Sequence, residues 1–168
     1  SKIPSDVPFI DPIIIDEVIE LYNSEDFDYV SNLHPPTFPD GMDIETFSFE
    51  ALKKANDEAN EDFHLEHTTP YIWDNPEKFK IGFICSDQKI NYFNRYRFTI
   101  DFIEDFYFLK KIYTNYFSRN IKCSWTDLIH FVDQNSKIKA LNKMHLGLNW
   151  YKNNLKKIKN LDEQILDD

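Results

Sequence analysis

Two aspartates, Asp6 and Asp101, sit where chemistry is easiest to place in this chain. Asp6 follows Ile3-Pro4, which reads as the end of a strand, and Asp101 follows Arg97-Phe98-Thr99-Ile100, which reads as another. Carboxylates at the carboxyl ends of strands face the crevice in which α/β sheets bind ligands. A pair of them suits Mg²⁺, which takes one or two carboxylates and fills its shell with substrate oxygens. A turn-stabilising Asp6 and a helix-capping Asp101 are the plainer readings of the same positions. Arg97 could meet an acidic substrate group or bridge the sheet edge. The rigid loop Thr37-Phe38-Pro39-Asp40-Gly41-Met42-Asp43 offers a recognition edge before a strand, and Glu66-His67 offers an acid/base or hydroxyl-binding pair. A hydrogen-bonded structural histidine is the alternative for His67. No Ser-His-Asp order, HExxH or CxxC is present.

The elements that must hold these residues alternate between strand and helix. Asp11 caps and Pro12 opens a helix through residue 23, with Ile14, Val18 and Leu21 on one face. Residues 27–33 and 42–47 read as strands around a loop that three prolines keep irregular. Ser48 caps a helix over 49–60, a short helix ends at Asn75-Pro76, and 79–85 and 96–100 read as strands. A long helix over 101–117 is expected to turn Phe106, Leu109, Tyr113 and Tyr116 inward. Ser124 caps another that buries Trp125, Leu128, Phe131 and Val132. A lysine-studded amphipathic helix is expected from Lys152 through Ile165. The pattern is α/β, with residues 119–168 as a helical appendage to residues 1–118.

Composition narrows the classes further. The 168 residues suffice for a domain with a hydrophobic core. Asp and Glu number 29 against 19 Lys and Arg, a formal net charge of -10 that repels phosphate backbones and argues against nucleic acid. Cys85 and Cys123 make neither a disulfide framework nor a zinc pattern, and Cys85 is expected to be a buried small hydrophobe. No signal peptide and no membrane-length apolar run is visible, so a cytoplasmic location is expected. There are only 3 glycines, Gly41, Gly82 and Gly147, and none sits in a cluster that could wrap phosphate with backbone N–H groups.

Several stretches together resemble the cytidylyltransferase family that includes the spore-coat polysaccharide biosynthesis protein SpsF and, further off, the CMP-Kdo and CMP-sialic acid synthetases. They are SDVPFIDPIIIDEVIELY from Ser5, YVSNLHPPTFPDGMDIETFSFEALKKA from Tyr29, EHTTPYIWDNPEKFKIG from Glu66 and RFTIDFIEDFYFLKKIY from Arg97, with a weaker WTDLIHFVDQNSKIKALNK from Trp125. The resemblance implies part of a Rossmann-like nucleotide-diphospho-sugar transferase layer, often dimeric. It implies that Asp6 and Asp101 hold Mg²⁺ at the phosphates of CTP, and that Asp40, Gly41, Asp43, Glu66, His67 and Arg97 lie on the side of an acidic sugar. The family's DxPED appears as Asp101-Phe102-Ile103-Glu104-Asp105, and its REH as Leu65-Glu66-His67. Its phosphate-gripping loop, approximately ARxxSxRLPGK, has no counterpart among these residues, so the resemblance implies a sugar-binding, dimer-forming part that is inactive alone. The alternatives are a non-catalytic scaffold of the same fold, or a nucleotide-sugar glycosyltransferase with Asp40 and Asp43 as its metal motif. The last requires Asp43 to face Asp40's loop, whereas its place in the 42–47 strand is expected to turn it away.

Overall fold

The computed structural model describes residues 1–86, 90–117, 124–154 and 157. Its first helix, α1 (Pro12–Ser24), begins as its sequence dictates. Asp11 accepts a hydrogen bond from the Ile13 amide at 2.9 Å, Pro12 fills the first turn, and Ile14 and Val18 are buried. Asp11 also accepts from the Trp125 amide at 2.8 Å, so one carboxylate ties together the starts of two helices far apart in sequence.

Three short strands form the sheet: β1 (Tyr29–Ser31), β2 (Glu45–Phe47) and β3 (Ile81–Phe83). β1 lies in the centre, antiparallel to β2 with Val30 opposite Thr46, and parallel to β3 with Val30 opposite Gly82. Alternate side chains of β1 leave the sheet on opposite faces, which divides the core. Val30 enters a cluster with Ile14, Val18, Ile44, Phe98, Phe108 and Ile112, whereas Tyr29 enters one with Ala51, Phe63, Ile72, Trp73 and Phe79. The second cluster is covered by α2 (Phe49–Glu58), capped by Ser48, and by two short helices, α3 (Asp62–Glu66) and α4 (Pro70–Trp73). The first is covered by α1, by α5 (Ile103–Ile112), which continues into a π-turn over Tyr113–Phe117, and by α6 (Trp125–Gln134). Leu128 and Val132 of α6 sit in this cluster, with Trp125 and Phe131 partly buried at its margin. The helical end thus shares the core of the sheet. It continues through α7 (Ser136–Lys139), a 3₁₀ turn (Lys143–His145) and α8 (Trp150–Asn154).

Several expectations need correction. Residues 42–44 are not strand: the Asn32 side chain donates to the Met42 carbonyl at 2.6 Å and accepts from the Ile44 amide at 3.0 Å, taking the place of ladder bonds. Residues 96–100 run extended but belong to no strand. They bond on one side to Asp40 (Phe98 N–H to its carbonyl, 2.7 Å) and on the other to Asp6 (Ile100 N–H to its carbonyl, 3.0 Å), with one bridge between Asp40 and Arg97. The buried face of α5 carries Asp105, Phe108, Leu109 and Ile112, while Phe106 and Tyr113 are exposed. Cys85 is exposed. Cys123 and most of the lysine-rich helix lie outside the described residues. No described helix is long and apolar enough to cross a membrane.

Candidate functional site

A cavity of about 690 Å³ opens where the 1–7 segment, the 33–45 loop, the 66–73 turns, residues 97–102 and α8 converge. That volume is ample for a sugar-sized ligand. Its lining contains Asp6, Asp40, Asp43, Glu66, His67, Arg97 and Asp101. Gly41 is not part of it. At φ +94° this glycine packs so closely on residues 98 and 99 that an added Cβ would stand 2.5 Å from the Phe98 carbonyl carbon. It shapes the wall from behind.

Arg97 organises the floor and is 1% exposed. Its Nε donates to both Asp105 oxygens (3.1 and 3.2 Å), its Nη1 to Asp40 (2.8 Å) and to the Leu148 carbonyl (2.5 Å), and its Nη2 to Asp101. One positive charge therefore serves three carboxylates, and the guanidinium fork is engaged by the protein itself. Asp105 also accepts from the amides of Asp101 (3.2 Å) and Phe102 (3.1 Å) and from the Asn142 side chain (3.0 Å). Asp105, and not Asp101, thereby satisfies the amides at the start of α5. Asp6 accepts from the Thr99 hydroxyl at 3.3 Å, which ties it to the segment that ends in Asp101.

The acids on the opposite wall are strained electrostatically. Burial, then Glu45 and Asp6, push the Asp43 carboxyl up to about 7 against the pull of Lys2 and the Gly41 amide. Burial, then Asp43, push Asp40 well above its ordinary range against Arg97. Burial also pushes Glu45 up. Lys2 at 2.7 Å and hydroxyl donors from Tyr29 and Thr69, each at 2.6 Å, outweigh it and hold Glu45 below the usual value. Asp43 thus faces the same space as Asp40, which corrects its expected orientation. Asp40, however, is held by Arg97, so the pair does not form a free metal motif.

Aromatic rings close the remaining side. His34 packs on Trp73 (ring centroids 4.3 Å apart), with the Tyr151 ring edge-on to it at 5.8 Å and Trp150 edge-on to Trp73 at 6.1 Å. Burial pushes His34 down to about 4, so it is neutral near pH 7. Glu66 is largely exposed and its carboxylate lies 3.9 Å from the His67 ring nitrogen, beyond hydrogen-bond length. His67 instead stands edge-on to Phe63 and Trp150, each at 5.1 Å. Sequence reasoning missed Glu45, Asp105, Asn142, Trp73 and the Trp150-Tyr151 pair. The adjacent aromatics after Asn149 were a readable signal for the last, whereas Glu45 looked like the polar half of an alternating strand. Among the described residues, no group of three or more His, Cys, Asp or Glu could hold a metal by itself.

The fold is an α/β layer whose carboxylates converge beside an aromatic wall in one cavity. The chain belongs to the cytidylyltransferase family, whose model matches residues 1–146. It is 34% identical over 143 residues to an uncharacterised protein of Methanocaldococcus jannaschii, covering 84% of this chain and 56% of that protein. It is 28% identical over 112 residues to the spore coat polysaccharide biosynthesis protein SpsF of Bacillus subtilis, covering 67% of this chain and 45% of SpsF. The structure of a cytidylyltransferase from Leptospira borgpetersenii serovar Hardjo-bovis matches with a TM-score of 0.69 at 34% identity, over 79% of this chain and 55% of that one. The chain spans about half the length of the curated relatives it matches.

Proposed function

We propose that this chain forms the sugar-binding side of a cytidylyltransferase that joins a sugar hydroxyl to CTP in the biosynthesis of a surface polysaccharide. In that reaction the hydroxyl oxygen bonds to the α-phosphorus and gives up its proton to solvent, the α–β anhydride breaks, and pyrophosphate leaves with its electron pair. The observation that carries the reading is the cavity: all the residues that the family resemblance assigns to metal and sugar except Gly41 line one space. Asp6 and Asp101 would hold Mg²⁺, a donor set that suits a cation completing its shell with phosphate oxygens. The metal, when bound, supplies positive charge that offsets the charge on the transferring phosphorus centre. Asp40 and Arg97 fix the loop and the floor, Thr99 orients Asp6, and Trp73, Trp150 and Tyr151 exclude water from the sugar side. The 168 residues contain no glycine-rich phosphate loop, so the proposal includes catalytic dependence on such a loop from elsewhere. It also includes self-association as a homodimer.

Pyrophosphate release tests this reading. The purified chain with CTP, Mg²⁺ and a sugar panel should give no turnover. A chimera that joins the 168 residues to the complementary half of the Leptospira enzyme should turn over. Asp6→Asn and Asp101→Asn should each lower its rate by about 10²–10³-fold, the range typical for loss of one transition-state electrostatic contact. Turnover by the isolated chain, or chimera rates indifferent to both substitutions, would refute it.

A further inference from the structure

Resting on the sugar-site reading, we infer that His34 is a substrate-recognition residue: its imidazole takes a hydroxyl of the sugar through a ring nitrogen that the protein leaves open to the cavity. Packing places the ring. It lies against Trp73 with centroids 4.3 Å apart and planes 35° apart, and Tyr151 meets it edge-on at 5.8 Å and 78°. Tyr29 is a third ring neighbour at 6.4 Å. Tyr151 is itself fixed, because its hydroxyl donates to the Leu33 carbonyl at 3.1 Å, one residue before His34. Three aromatic side chains thus orient the imidazole, where a half-buried histidine is ordinarily oriented by hydrogen bonds.

The ring nitrogens are the second support. Two other histidines spend a nitrogen on the protein: His64 pairs with Asp74 at 3.0 Å and His145 with Glu104 at 3.1 Å. Among the described residues, neither nitrogen of His34 has such a partner, and neither is sealed away from solvent. Both are therefore open to the cavity that His34 lines. Burial, against the opposing pull of Glu45, keeps the imidazole uncharged near pH 7, so one nitrogen donates and the other accepts. A sugar hydroxyl does both and can be matched from either nitrogen, whereas the ionised carboxylates of the lining only accept. A ligand that filled the cavity without a hydroxyl here would bury a ring nitrogen unpaired, and that cost favours substrates that carry one.

Titration of the 168-residue chain, followed by long-range proton–nitrogen spectra of the imidazoles, tests the inference. The probes are hexoses, N-acetylhexosamines, hexuronic acids and 2-keto sugar acids. The His34 signals are assigned by their loss in His34→Phe and His34→Gln. A sugar that binds should shift the His34 nitrogens and leave those of His130, on α6 and outside the cavity lining, where they are. His34→Phe keeps a ring against Trp73 and removes both nitrogens. It should weaken that sugar about three- to tenfold, the scale of one hydrogen bond between neutral groups, with a melting temperature within about 2 °C of native. His34→Gln restores a donor and an acceptor and should recover part of the loss. Single-deoxy analogues of the bound sugar locate the contact, since one of them should bind the native chain and His34→Phe equally. If His34→Phe melts far lower, the nitrogen shifts and His34→Gln decide. If a sugar binds while the His34 nitrogens stay unmoved and both variants bind it as tightly as the native chain, the sugar site stands and the role of His34 falls. If no sugar of any class binds, both fall.

Discussion

Arg97 concentrates more of this protein's electrostatics than any other described side chain. Removing it while keeping its bulk, as in Arg97→Met, leaves Asp105, Asp40 and Asp101 without their shared cation, and Asp105 is fully buried. Breaking a buried pair from one side costs about 3–5 kcal/mol, so the urea midpoint should fall by that equivalent. A change under about 1 kcal/mol would show that the three acids relax by other means. Asp43 makes a pH prediction. Its carboxyl is raised in the folded protein to about 7, above the unfolded value near 3.9, so the folded state binds the extra proton. The associated stability is fully present below about pH 4 and is lost as pH rises through about 7. Asp43→Asn should therefore flatten the stability profile over that window and gain up to about 4 kcal/mol at pH 8 relative to the native chain, about three pKa units at about 1.4 kcal/mol each. Urea denaturation at pH 5 and pH 8 measures both. At this scale the acids were singled out from family likeness and from expected strand ends at Ile3 and Ile100 that the structure does not form as strands, and neither signal named the acids' partners. Nothing near Arg97 in sequence announces that Asp40, Leu148 and Asn142 will converge on it, because that convergence is made by chain returning from distant elements.

Element boundaries follow from the same contacts. The 40–42 loop lies against 97–99 because Gly41 adopts φ +94° and lacks the Cβ that would strike the Phe98 carbonyl carbon. Gly41→Ala combines a positive φ with a backbone clash and should cost roughly 3 kcal/mol or more. Thermal melts should show it, together with altered ligand shifts at Asp40 and Asp43. A melting temperature within about 2 °C of the native value would mean the loop can move away at little cost. Helix and cap signals were legible: Asp11-Pro12, Ser48 and Ser124 begin helices as their types dictate. The face of α5 was legible only in part, at Leu109, which is buried as expected, and at Tyr116, which packs against the core. Two stripes compete on it, and the one with Asp105, Phe108 and Ile112 looks less apolar than the one with Phe106 and Tyr113. Asp105 must reach Arg97, so the stripe with the charge faces inward. Likewise, 42–44 and 96–100 alternate as strands do. They miss the sheet because an Asn32 side chain and two separate loops take their hydrogen bonds.

That rotation of α5 has a consequence for the whole molecule. It leaves Ile103, Phe106, Tyr107 and Tyr113 exposed along one flank, at 59%, 43%, 53% and 62% of their free surface. The flank is acidic at its start, through Glu104, and basic at its end, through Lys110 and Lys111. Two copies packed antiparallel about a two-fold axis would set each acidic end against a basic one and bury the aromatic middle, the self-complementarity an isologous interface requires. With a net charge of -10, the separate chains repel at low ionic strength, and salt screens that repulsion over about 10 Å at 0.1 M. The dimer proposed above should therefore strengthen between low salt and about 0.15 M rather than weaken. Light scattering coupled to size exclusion should give about 40 kDa for the 20.1 kDa chain at tens of micromolar. Phe106→Glu should return it to the monomer mass with its far-UV spectrum intact, since Phe106 lies outside the core clusters. A native chain that stays monomeric at 0.15 M salt and 100 µM, or a variant that dimerises as well as the native chain, would remove α5 from the interface.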